Sequence, residues 1–233
     1  SPDQVCLTWS GDPSTTQTVQ WRTNLSATEG IVQYRLKGEA NAPVQDVKAS
    51  SYEINEPLVG NDPVNRRFSV QLTNLTPSTT YTYRVGNPAA DTWSEWSDFT
   101  TAPDGTRPFS FLYLGDAQIG YDEMGAMMNR AREQAPAAAF CVMAGDQVNR
   151  GNNRDDWDAF FNAASVLFEK IPLVPTIGNH ECPKQAVPRL YLSLLTLPEN
   201  GPEQIAKERA YSFRYSNALF VILDSNLEAK DQR

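Results

Sequence analysis

Cysteine is scarce in this chain: Cys6, Cys141 and Cys182 are the only three in 233 residues. Three cannot all pair within one chain, and no two stand in a C-x-x-C spacing, so neither a disulfide framework nor a structural zinc knuckle is expected. The redox compartment stays open on this count. Histidine is scarcer still, with His180 alone. No apolar run approaches the roughly 18 residues that a membrane helix needs, which excludes a spanning segment within this sequence. Positive charge is in deficit: 20 Lys and Arg stand against 28 Asp and Glu, for a net charge of −8. A surface this acidic is a poor general binder of nucleic acid or of anionic membrane. The chain opens Ser1-Pro2-Asp3 with no basic-then-apolar leader, so any signal peptide is expected to lie outside it. Internal repeats and low-complexity tracts are missing too.

What is present is ordinary globular composition, 40% hydrophobic and 21% charged, which is too apolar for a disordered chain. The length accommodates one large or two small domains. Residues 1 to about 101 alternate apolar and polar in short runs: Val5–Trp9, Thr18–Arg22, Gly30–Arg35 and Arg67–Leu72. Turn formers separate them at Gly11-Asp12-Pro13, Lys37-Gly38 and Gly60-Asn61-Asp62-Pro63. Alternation marks strands with one buried face, and several such strands at this spacing favour a β-sandwich.

Two stretches of this half carry resemblances. Leu72-Thr73-Asn74-Leu75-Thr76-Pro77, followed by Tyr81-Thr82-Tyr83-Arg84-Val85, resembles the E–F corner of a fibronectin type III domain. The resemblance implies that the Tyr81 hydroxyl returns to the backbone, with Tyr83 and Val85 on the same period-2 face. Trp93-Ser94-Glu95-Trp96-Ser97 matches the W-S-x-W-S box of cytokine receptors, in which Arg side chains stack on the Trp rings. The usual receptor disulfides have no counterpart, so the box is read here as a last strand whose aromatics pack on the sandwich.

Thr101–Pro108 is a linker by composition. Beyond it the pattern changes. Phe109–Leu114, Ala138–Met143 and Ile171–Ile177 read as strands. Between them, residues 122–134 carry Met124, Met127, Met128 and Ala131 at helical spacing, and 154–169 carry Trp157, Phe160, Phe161, Ala164, Leu167 and Phe168. Alternating strands and helices, with nearly continuous apolar strands, predict a parallel α/β layer. The Met and aromatic stripes are read as core. Asp155, Asp156 and Asp158 read as an acidic first turn favoured by the helix dipole. Residues 210–215 and 218–223 predict a hairpin around Ser216-Asn217.

Each α/β strand ends in a polar cluster: Gly115-Asp116-Ala117-Gln118, Gly145-Asp146-Gln147-Val148-Asn149-Arg150-Gly151, and Gly178-Asn179-His180-Glu181. Ligands of open α/β sheets bind outside the carboxyl ends of the strands. Three adjacent ends would gather Asp116, Asp146, Asn179 and His180. Two carboxylates, an amide oxygen and an imidazole suit first-row divalent or trivalent cations better than thiolate chemistry does, and neighbouring carboxylates repel unless a cation lies between them.

The three clusters resemble the D-x-[HG], G-D-x-x-[DNY] and G-N-H-[DE] motifs of calcineurin-like metallophosphoesterases over residues 109–233. A fibronectin-like module in front resembles the arrangement of the purple acid phosphatase branch. The implied organisation is a fibronectin type III-like β-sandwich over 1–103, a linker over 104–108, and the N-terminal part of an α/β metallophosphoesterase domain over 109–233. The resemblance implies hydrolysis of phosphoric esters by a dinuclear centre of Fe, Mn or Zn ions using metal-bound hydroxide. Asp116 matches a ligand of the first metal, Asp146 the bridging carboxylate, Asn179 a ligand of the second metal, and His180 the group that assists the leaving alcohol. Arg150 matches an arginine that pairs with a substrate phosphate. Gln118 stands where relatives place His or Gly, and is expected to act as a weak ligand or as a donor to metal-bound water. Asn149 stands where purple acid phosphatases place the colour-giving Tyr; it is expected to act as a weak ligand or to support the ligands from behind, in a colourless protein.

Asp224, after an apolar strand, could face the site, while Glu181 is expected to orient its loop. Further histidines of the family, including a G-H-x-H motif, have no match. The domain is therefore expected to be C-terminally incomplete, with weak metal occupancy and poor turnover, and with a next helix after Arg233. The resemblance also implies an extracellular or periplasmic location. The missing histidines and the Trp box motivate the alternative: a secreted binding or adhesion protein with a degenerate phosphoesterase-like domain.

Overall fold

The computed structural model describes residues 1–39, 41–55, 64–182, 187–228 and 230. Among these residues, nine strands form two antiparallel sheets in the first half: β1 (Asp3–Thr8), β2 (Gln17–Thr23), β6 (Asn65–Leu72) and β5 (Ser50–Ile54) in that order, facing β4 (Gln45–Lys48), β3 (Ile31–Leu36), β7 (Thr80–Asn87) and β8 (Thr92–Trp93), with β9 (Ser97–Thr100) also on β7. This is the expected fibronectin type III-like sandwich. Alternation places Val32 and Tyr34 of β3, and Tyr81, Tyr83 and Val85 of β7, in its core. The corner forms as the resemblance implied, with the Thr76 amide donating to the Tyr81 hydroxyl at 2.9 Å. The proposed turn at Gly60–Pro63 lies outside the described residues, as do residues 231–233.

The Trp box corrects the sequence reading. It is not a single strand packed on the sandwich; it spans the end of β8 and the start of β9. The Arg84 guanidinium lies 4.2 Å from the Trp93 ring centroid and 4.8 Å from that of Trp96, and Arg35 lies 5.4 Å from Trp96. Arg35 and Arg84 point outward from β3 and β7, so the rings stack on cations at the surface rather than on the core.

The second half builds a parallel three-stranded sheet in the order β10 (Ser110–Leu114), β11 (Ala138–Met143) and β12 (Leu173–Pro175). Helices α1 (Tyr121–Gln134) and α2 (Arg154–Phe168) connect its strands, and the short α3 (Arg189–Leu194) follows. The hairpin β13 (Tyr211–Tyr215) and β14 (Ala218–Ile222) pairs in the predicted register, with Tyr215 opposite Ala218. On α2 the stripe Trp157, Phe160, Phe161, Ala164, Leu167 and Phe168 is buried as the spacing requires.

The β1, β2 and β6 strands of the first sheet are covered on both faces. Their outward side chains Thr8, Gln20 and Arg67 are 0% exposed because α2 and the segment after α3 lie on them. Thr8 Oγ1 donates to Thr196 O at 2.7 Å, Tyr52 Oη to Ser193 O at 2.8 Å, and Arg67 lies over the Phe161 ring. Asp158 departs from its reading as part of a dipole-favoured first turn. Its Oδ1 accepts from Gln4 Nε2 at 2.7 Å, Arg22 Nη1 at 2.7 Å and Arg154 Nε at 3.1 Å, tying α2 to the sandwich. Trp9 sits among Phe140, Phe213 and Tyr215 of the second half, at centroid distances of 5.2–5.9 Å.

Glu208 lies under the same contact segment, where its Oε1 accepts the Leu197 amide at 2.7 Å. Burial pushes its carboxyl up to about 7, against the pull of that amide. A carboxyl whose folded pKa lies above its unfolded value of about 4.5 destabilises the fold as pH rises from 4.5 through 7. Glu208→Gln is therefore expected to leave stability unchanged at pH 4 and to raise it at pH 8. The gain is about 1–2 kcal/mol, discounted for the solvent that reaches this partly exposed group. Urea unfolding at the two pH values measures the difference.

Candidate metal centre

The three polar clusters converge because their strands are adjacent, parallel and level. Leu114 pairs with Met143, and Met143 with Pro175, so each strand runs out at the same edge. The Ala144 amide donates to Leu114 O at 2.7 Å, and the Thr176 amide to Met143 O at 2.8 Å. Asp116 and Asp146, the two acidic residues at these ends, both hold left-handed backbone, with φ of 54° and 51°. Asp tolerates that region better than most residues, but a non-glycine there is uncommon and clusters at functional sites. Gly178 permits the closest approach: a Cβ there would stand 2.1 Å from Asp146 Oδ1.

Asp146 and His180 are joined directly, the His180 amide donating to Asp146 Oδ1 at 2.9 Å. The imidazole Nδ1 lies 2.7 Å from Asn149 O. A carbonyl only accepts, so Nδ1 carries the hydrogen and Nε2 is left to take or release a proton. Asn149 thus serves the site through its backbone: its carbonyl orients the imidazole, and its amide donates to the Tyr121 hydroxyl at 3.2 Å.

Glu181 is the hub. Buried to 1% exposure, it accepts the amides of Asp146 at 2.9 Å and Gly178 at 2.8 Å on Oε2, and of Val148 at 3.1 Å on Oε1. Burial pushes its carboxyl up, and the three amides oppose that. Asp224 is equally committed to structure. Arg209 Nε and Nη2 bind its Oδ2 at 2.7 and 2.6 Å, and the Asn226 amide and Nδ2 bind its Oδ1. Asn226 Nδ2 also reaches Gly178 O at 3.2 Å, buttressing the third loop. Tyr121, Arg209 and Asn226 escaped the sequence reading, since none stands inside a motif.

Arg150 is paired within its own segment, Nε to Asp156 Oδ2 at 3.1 Å and Nη2 to Asp156 Oδ1 at 2.6 Å, with its side chain 58% exposed. Asp116 and Asn179 are exposed at the rim. Among the described residues, no three His, Cys, Asp or Glu side chains group closely enough to hold a metal ion. The donors at these strand ends are instead carboxylates mixed with amides. Gln118 Oε1 is buried with no hydrogen-bond partner, an acceptor left over at the β10 end. A cation or its water would satisfy it, so the oxygen-rich set of Asp116, Gln118, Asp146 and Asn179 fits hard to borderline metal ions.

Residues 109–225 match the sequence model of the calcineurin-like phosphoesterases. The chain belongs to that family. Residues 2–101 match the purple acid phosphatase N-terminal domain. Among solved structures, a purple acid phosphatase from yellow lupin (Lupinus luteus) seeds superposes with a TM-score of 0.82 at 17% identity, over 98% of this chain and 45% of its own. PhoD superposes with a TM-score of 0.67 at 14% identity, over 95% of this chain and 51% of its own. This phosphoesterase chain thus spans about half the length of either structure, and shares with them the sandwich-then-α/β fold. No curated protein matches it in sequence.

Proposed function

We propose that this chain hydrolyses phosphoric esters at a centre of two Fe, Mn or Zn ions, with weak metal occupancy and slow turnover because His180 is its one histidine. Asp116 would hold the first ion, Asp146 bridge both and Asn179 hold the second, with Gln118 as a weak ligand or water acceptor. Such ions supply Lewis-acid neutralisation of phosphate charge and a water of lowered pKa. The remaining work falls to the protein. Glu181 fixes the two loops that carry Asp146 and Asn179. His180, oriented through Nδ1 by Asn149 O, presents Nε2 to give a proton to the departing alcohol oxygen. Arg150, steadied by Asp156, would meet a phosphate oxygen with its exposed side. An extracellular or periplasmic location accords with the sandwich-bearing arrangement.

The observation that carries this reading is the Asp146–His180–Asn149 linkage: it joins a candidate ligand to a candidate acid whose reactive nitrogen is defined. Calorimetric titration with Zn²⁺ or Mn²⁺ is expected to show binding that Asp146→Asn removes. Hydrolysis of an aryl phosphate by the metal-loaded protein is expected to fall about 10²–10⁴-fold in His180→Ala. Metal binding indifferent to Asp146→Asn, or turnover indifferent to His180→Ala, would end the proposal.

A further inference from the structure

All four methionines of the chain line a single cavity of about 410 Å³, and Asp116 stands in its wall. Met124, Met127 and Met128 come from the first turns of α1, and Met143 from the end of β11. Sequence reading treats the methionine stripe as core. Met124, Met128 and Met143 are indeed buried and back the cavity wall, while Met127 is 47% exposed. The volume falls in the range of small-molecule sites. Thioether side chains are flexible and polarisable, and adapt to apolar groups of varied shape. Among the described residues no Lys, Arg or His lines the cavity; the charged groups there are Asp116 and Glu123. A ligand carrying a further phosphate or carboxylate would find no counter-charge there.

We propose that this cavity receives the apolar, uncharged alcohol portion of a phosphoric ester whose phosphate lies at Asp116, an inference that rests on the phosphatase reading above. The substrate class is then esters of aryl or alkyl alcohols rather than nucleoside polyphosphates. The ester oxygen would leave toward the α1 side of the centre, with the organic group already outside water.

The test uses the whole chain labelled with [methyl-¹³C]methionine, its four signals assigned by single Met→Leu variants. Benzyl alcohol alone, and phenylphosphonate with Zn²⁺, are expected to shift the signals saturably, whereas inorganic phosphate with Zn²⁺ leaves the buried three unmoved. Met127→Gln, a neutral change at an exposed position, is expected to raise KM for phenyl phosphate about tenfold and that for methyl phosphate, whose organic group buries far less surface, by much less. Methyl signals that ignore both aromatic probes would overturn the cavity assignment whether or not the protein turns over. Signals that move in a protein that hydrolyses no ester would leave the cavity as an apolar binding site and reject the phosphatase reading.

Discussion

Glu181→Ala is expected to lower unfolding free energy by about 3–4 kcal/mol and to abolish metal binding together. Three amides, of Asp146, Val148 and Gly178, lose their shared acceptor. Each buried donor left unmade costs about 1–3 kcal/mol, and water entering the vacated space recovers part of it. The loss is not confined to stability, because these amides belong to the loops that set Asp146 and Asn179. Glu181→Gln separates the two roles of the carboxylate. Its Oε1 can still accept from Asp146 and Gly178, but its NH₂ then faces the Val148 N–H. It is expected to cost about half as much and to retain weakened metal binding. Urea unfolding and a Zn²⁺ titration on both variants measure this; a Glu181→Ala protein as stable as the parent would show that the loops hold without their hub.

Trp9→Ala is expected to cost about 3–5 kcal/mol, the range for removing a large buried aromatic. The indole fills the space between Phe140, Phe213 and Tyr215 and is 3% exposed. Its Nε1 is buried without a hydrogen-bond partner, so the ring contributes through apolar packing alone. Trp9→Phe is therefore expected to cost only about 1 kcal/mol, since it surrenders no hydrogen bond and relieves a buried donor. Equal losses for the two substitutions would contradict the packing argument. Thermal and urea unfolding, followed by Tyr and Trp fluorescence, read the comparison.

Strand alternation, the Tyr81 corner, the α2 stripe and the β13–β14 hairpin were all legible in the sequence because each is a local pattern with one physical cause. The meeting of Asp146 and His180 was legible for the same reason: parallel strands in an unbroken βαβ order run out at one edge; Asp116 ends a strand at that edge, but among the described residues it does not close with them into a group that could hold a metal ion. The edge strands β4 and β5 escaped because Gln45–Lys48 and Ser50–Ile54 are mostly exposed and carry no clear alternation. Thr8, Gln20 and Arg67 look like solvent-facing residues, and only the packing of α2 and of the segment after α3 on this sheet buries them. The same packing converts Asp158 from a helix-start charge into a contact between the halves. The Trp box misled because aromatic spacing does not say which sheet face a ring takes; Arg35 and Arg84 decide that from two other strands. Glu181 showed its position in a motif but not its three amides, two of which (Asp146 and Val148) arrive from the turn after β11 and one (Gly178) from its own.

The burial of Trp9 and of the outward residues of β1, β2 and β6 bears on how such proteins can be taken apart. A gene severed near Pro103 would yield a front piece with a raw aromatic and a stranded guanidinium, and a back piece missing one wall of its interior. Neither would be a free-standing module. Transplanting this sandwich onto another enzyme would require rewriting one whole side of it, and an evolutionary lineage that keeps the pair must change the two sides in step.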